Sequence, residues 1–215
     1  MSSDLKRPQR LPVEWPALEF ATKLLEASLV LSAFLYVVGW SYIYGYFRAF
    51  GIPLQLVGFG VQDTLVHSFR AISASIWSLL GFSIGALLMA FFLSFLLNQA
   101  QNLGPATWSF AAVVFFAAYC LASYSASSIG KTRACEQMVR ADNTLPSAII
   151  DVDATKMDEA FMSPGELLKG DYRVVLFQPD RVWLFKPVEK DVNYVSVLMI
   201  PKESIRAISI QESTK

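Results

Sequence analysis

Between Ala27 and Gly130 the chain carries only three charged side chains, Arg48, Asp63 and Arg70. This scarcity limits the fold more than any other feature of the sequence. Within it lie three apolar segments, Ala27–Phe47, Ala74–Leu97 and Thr107–Ile129, and none of them holds an ionised residue. About 20 predominantly apolar residues are needed to cross a hydrocarbon core of roughly 30 Å, so each segment is long enough to cross. Buried helices of a large soluble protein would need a polar shell, which this half of the chain lacks. The first run begins after about 25 residues, exceeds a signal-peptide core of about 7–15 and ends in bulky aromatics. It is expected to stay in place as an anchor.

The second half is a different material. Residues 131–215 contain twelve Lys/Arg and thirteen Asp/Glu, and the formal net charge of zero hides this division. Neither half is basic enough to suggest a nucleic-acid partner. The expected fold class is a membrane α-helical domain of three transmembrane helices with a small C-terminal antiparallel β domain. The expected organisation is a polar tail over 1–26, a transmembrane domain over 27–130, a helical linker over 131–146 and a β-rich soluble domain over 147–215. Short runs rich in β-branched and aromatic residues mark the strands: AIIDV from Ala148, RVVLFQ from Arg173, RVWLFK from Arg181, Val192–Ile200 and Ile205–Ile210. Four to six such strands suggest an antiparallel meander that curls toward a barrel.

The boundary of the first span is crowded with rings. Tyr36, Trp40, Tyr42, Tyr44, Tyr46 and Phe47 lie near its end, and Arg48 follows. Tyr and Trp favour the headgroup level, and arginine reaches phosphate while its stem stays in apolar surroundings. Tyr36, Trp40, Tyr44 and Arg48 are therefore expected to be interfacial anchors. The next stretch, about 49–63, is apolar but broken by Gly51, Pro53, Gly58 and Gly60, and it reads as interfacial or re-entrant. Asp63 is the expected N-cap of a helix over Thr64–Ser73. Asp63 and His67, four apart, would share one face of it.

Small residues at a spacing of four mark where helix backbones approach closely. Gly81 and Gly85 have this spacing in the second span, and Ala118 and Ala122 have it in the third. The same spacing is compatible with a homo-oligomer. Close to the span ends, Lys23 stands on one side against Arg48, Arg70, Lys131 and Arg133 on the other. By the positive-inside rule the C-terminal domain is expected to be cytoplasmic, in a bacterial inner membrane.

Chemistry is sparse. His67 is the only histidine, which excludes a His-rich metal site, HExxH and a Ser–His–Asp triad on the C-terminal domain. Cys120 and Cys135 lie about four helical turns apart and cannot bond along one straight helix. Asp151, Asp153, Asp158 and Glu159 form an acidic cluster of the type that hard cations accept. Trp183 and Phe185 alternate in a strand and read as a partner surface, as a platform for a flat ligand, or as core. No cofactor is expected. The leading expectation is a non-enzymatic multi-pass membrane protein that anchors a small β-rich interaction or sensing domain, whose partner is a protein or small ligand. The alternatives are an oligomeric membrane-perturbing or channel-like effector gated by the β domain, and a membrane-embedded enzyme of unknown chemistry.

Overall fold

The structure is a computed structural model, and it describes residues 16–99, 105–139, 144–153, 164–189 and 195–211. Four long or medium helices precede the sheet: α1 (Pro16–Ala49), α2 (Val61–Ile72), α3 (Ile76–Gln99) and α4 (Pro105–Met138). Among the described residues, two helices are long and apolar enough to cross a membrane, through Ser28–Ala49 of α1 and Ala112–Met138 of α4. A third crossing arises only if Val61–Ile72 and Ile76–Leu87, which are bent by 117° at their junction, count together. The expectation of three spans is thus met only approximately. At 34 residues each, α1 and α4 are about 51 Å long, well beyond the thickness of a hydrocarbon core. The residues of each helix outside its apolar window lie at its N-terminal end, 16–27 in α1 and before Ala112 in α4. α1 already begins at Pro16, where a proline in the first turn loses no helical hydrogen bond.

The end of α1 is fixed by backbone chemistry. Gly51 takes a φ of +72°, a conformation that costs a glycine little. The amides of Ile52 and Gly51 donate to the carbonyls of Phe47 and Arg48, each at 3.0 Å, and close the helix. A short 3-10 turn, Leu54–Leu56, follows, and α2 then starts at Val61. Asp63 is not the N-cap of this helix. It is the third residue in, and its carboxylate accepts from the Gly60 amide at 3.1 Å. The helix starts earlier than its first polar residues suggest because Gly60 adopts the extended N-cap backbone without needing a side chain.

α2 is inverted relative to a helix on a soluble protein. Thr64, Ser68 and Ala71 are buried, whereas Val61, Val66 and Phe69 are exposed. Small residues inward and apolar residues outward suit a helix that packs closely on a neighbour and presents its other face to lipid. Its buried hydroxyls are satisfied within the helix, Thr64 Oγ1 donating to the Gly60 carbonyl and Ser68 Oγ to the Leu65 carbonyl. The neighbour is α1. A methyl group on Gly39 would run into the Thr64 carbonyl oxygen. One on Gly45 would collide with that of Ser127, and one on Gly130 with that of Tyr42. These glycines set the distances of α1 from α2 and α4. Gly81 and Gly85 do not act this way within the chain, since a methyl group at either would meet nothing within 4 Å. Ala118 and Ala122 pack against the helical core, and Ala126 is fully buried in it.

The C-terminal region forms a five-stranded antiparallel sheet in the order β4-β3-β2-β1-β5, from β1 (Ser147–Val152), β2 (Tyr172–Phe177), β3 (Arg181–Phe185), β4 (Val197–Pro201) and β5 (Ile205–Gln211). A four-residue helix, α5 (Pro164–Leu167), lies between β1 and β2. β4 and β5 are the two edges of the sheet, yet only Lys202–Ser204 joins them. Three residues reach no more than about 11 Å, so the sheet must curl until its edges meet at that corner. Ala148, Ile150, Val174, Val182, Leu184 and Ile200 fill the inside of the curl. Acidic side chains at the end of β1 are accounted for in part: Asp153 pairs with Arg206 at 3.1 Å, and Asp151 is exposed. Asp158 and Glu159 lie outside the described residues.

Candidate functional site at the helix–sheet seam

β3 is buried on both faces. Successive side chains of a strand point to opposite sides. Val182 and Leu184 therefore enter the core of the sheet, while Trp183 and Phe185 enter the core of the helices. Phe185 is fully buried, Trp183 is 6% exposed, and the Phe185 ring lies 5.2 Å from that of Phe50, just past the end of α1. The expected partner surface at Trp183 and Phe185 is thus not free. Its partner is the helical domain of the same chain. The Trp183 indole donates to Gln178 at 3.0 Å, and the Gln178 amide donates to the Leu56 carbonyl at 3.1 Å, which ties the sheet to the connector after α1. A second tie joins the Val188 amide to the Met138 carbonyl at 3.0 Å, beside a parallel bridge between Val139 and Val188.

The rings at the end of α1 divide by helical spacing. Tyr36, Trp40, Tyr44 and Arg48, each four residues from the next, form an exposed stripe. Arg48 donates to the Tyr44 hydroxyl at 2.6 Å and lies over its ring. Tyr42, Tyr46 and Phe47 do not join that stripe; they are buried. Tyr46 donates to Gln137 of α4 at 2.6 Å, and Gln137 in turn donates to Thr144 at 3.1 Å. This chain of polar contacts fixes α1, α4 and the segment leading to β1 in one arrangement.

Where these elements meet, they line a half-open cavity of about 900 Å³. Its aromatic wall is Tyr42, Tyr46, Phe47 and Phe59. The His67 ring stacks on Tyr42 at 5.7 Å and meets Phe59 edge-on at 6.1 Å. The Nδ1 of His67 is sequestered without a hydrogen-bond partner among the described residues. Arg70 and Arg133 supply positive charge, and Glu136 balances one of them through a 3.1 Å ion pair with Arg133. Ser73, Ser75, Ser78 and Thr132 add hydroxyls, and the Ser75 hydroxyl accepts from the Ser78 amide at 3.0 Å at the start of α3. Val175 and Leu176 of β2 close the cavity on the sheet side.

His67 lines this cavity, but Asp63, expected to share its helical face, is engaged at the start of α2. The sequence alone does not mark Arg70, Arg133, Gln137 and Phe50 as site residues. The signal that points to Arg70 is its charge in a segment almost empty of charge. Among the described residues, no group of three His, Cys, Asp or Glu side chains is placed to hold a metal ion. Outside the seam, Arg181 pairs with Asp180, and that guanidinium holds the Asp180 carboxyl below the usual carboxylate range.

Comparison with protein-family models, curated proteins and solved structures finds no match. The functional reading therefore rests on the geometry of the seam.

Proposed function

We propose that this chain is a multi-pass, non-enzymatic membrane protein whose small sheet domain is held on the bilayer to bind and report a ligand at the seam. The observation that carries the reading is the amphipathic cavity between the two domains, whose volume lies at the upper end of the range of about 300–1,000 Å³ usual for ligand pockets. Aromatic walls with a few convergent polar groups are the usual make-up of such sites. A ligand there touches α1, α2, α4 and β2 together, so its binding energy bears directly on how the sheet sits on the helices. In this reading α3 makes the third crossing and the sheet lies on the cytoplasmic side of a bacterial inner membrane. The basic residues near the sheet-side ends of the spans support that orientation.

The full-length protein, purified in mild detergent and weighed under native conditions, is expected to carry a small molecule that leaves on denaturation. Tags at the N-terminus and after Lys215 are expected to report opposite compartments. A protein that carries nothing, and gains no thermal stability from any lipid or solute offered, would overturn the ligand-binding reading.

The oligomeric effector is the second reading. The observation in its favour is the open face at Gly81 and Gly85, which leaves room for the backbone of another copy.

A further inference from the structure

We propose that the seam cavity binds the phosphate of an anionic phospholipid headgroup, with Arg70 as its principal cation. This inference rests on the seam cavity being a ligand site, and it names the ligand. Depth is the first argument. The cavity is lined by Tyr42 and Tyr46 from the end of the apolar window of α1 and by Ser128–Gln137 residues from the end of that of α4. Both windows finish on the side where the sheet docks, so the cavity lies at headgroup level.

Charge is the second argument. Arg133 is half neutralised by its exposed pairing with Glu136, whereas Arg70 makes no ion pair among the described residues. Arg70 is one of only two basic side chains between Ala27 and Gly130. A guanidinium at the edge of a bilayer binds phosphate oxygens well, because its planar fork of donors matches them. The hydroxyls of Ser73, Ser75 and Thr132 extend the donor set, and the unpartnered His67 Nδ1 adds one more polar atom beside it.

Shape is the third argument. A cavity of about 900 Å³ is far larger than one phosphate ion needs, and the wall of Tyr42, Tyr46 and Phe59 is wrong for an ion alone. A phosphodiester with glycerol and the first methylenes of its acyl chains satisfies both halves of the lining.

The test uses the full chain in nanodiscs of mixed phosphatidylglycerol and phosphatidylcholine, followed by extraction and quantification of the lipid retained after detergent exchange. Retention of phosphatidylglycerol over phosphatidylcholine is the expected result. Arg70→Gln is expected to lower that retention about tenfold, as fits loss of one charge-assisted contact, and Arg70→Lys to restore part of it. Arg48→Gln, which removes an exposed interfacial cation outside the cavity, is expected to lower retention far less than Arg70→Gln.

Equal retention of the two lipids, or an equal loss in the Arg70 and Arg48 variants, overturns the proposal. Displacement of the lipid by inorganic phosphate would identify a free-phosphate site and also overturn it. Co-purification of a compound without phosphorus would overturn the headgroup proposal and leave the ligand-binding reading standing. An empty cavity under every condition would remove both.

Discussion

α1 and α3 are both apolar helices with small residues along them, but they use those residues differently. In α1, Gly39 and Gly45 lie against the backbones of α2 and α4, and Gly130 of α4 returns the contact at Tyr42. In α3, Gly81 and Gly85 have the spacing of a packing motif and face open space. A small residue permits close approach, but only a facing backbone turns that permission into packing energy. Spacing along one helix is local information, whereas the facing backbone is supplied by a residue tens of positions away.

The contrast can be broken most forcefully at Gly130. Gly130→Leu places a side chain where the Tyr42 carbonyl already lies, and neither backbone can move without parting α1 from α4. Overpacking usually costs about 1–3 kcal/mol, and a clash with backbone lies at or beyond the top of that range. The expected outcome is loss of the monodisperse detergent-solubilised species in size-exclusion chromatography.

Phe185→Ala comes next. It leaves a void opposite Phe50, and truncating a buried phenylalanine costs about 3–5 kcal/mol. The variant should show a lowered melting temperature together with faster proteolysis of the residues joining α4 to β1. Persistence of the wild-type cleavage pattern would mean that Phe185 does not hold the sheet in place.

Trp183→Phe keeps an aromatic ring but removes the indole donor to Gln178, worth about 0.5–1.5 kcal/mol, and leaves a small void where the second ring of the indole lay. It should leave the fold intact and be read as a modest drop in melting temperature.

The smallest effect on the monomer is expected at α3. Gly81→Leu with Gly85→Leu should not destabilise the monomer, because each new side chain enters open space and leucine is the better helix former. A large loss of stability, or a change in particle mass, would show that this face meets a second copy.

Much of the architecture is legible in the sequence because it depends on short-range pattern. The apolar runs from Ala27 and Thr107 overlap the windows at Ser28–Ala49 and Ala112–Met138, and RVWLF becomes β3. The role of the strands is less legible. A run such as Val182-Trp183-Leu184-Phe185 looks the same whether one face or both are covered, since both faces are apolar. Only the docking on Phe50 decides it.

The crowd of rings at the end of α1 is legible as a boundary but not as a division. Tyr44 faces outward and Tyr46 inward because of where α4 lies, which no local pattern in α1 records. The cavity is the least legible feature. Tyr42, Arg70, Arg133 and Leu176 come from four elements and meet only after the helices and the sheet have docked.

The docking of Phe185 on Phe50 also sets an order of events during synthesis. About 135 residues separate the two rings. At translation rates of about 5–20 residues per second, the first ring is made roughly ten seconds before the second. During that interval the surface that will receive β3 is still bare. The strand that covers Phe50 is thus made well after the helix end that it covers. A chain whose helices insert wrongly therefore offers β3 no platform, and it leaves a tryptophan and a phenylalanine uncovered for the quality-control machinery of the cell to find.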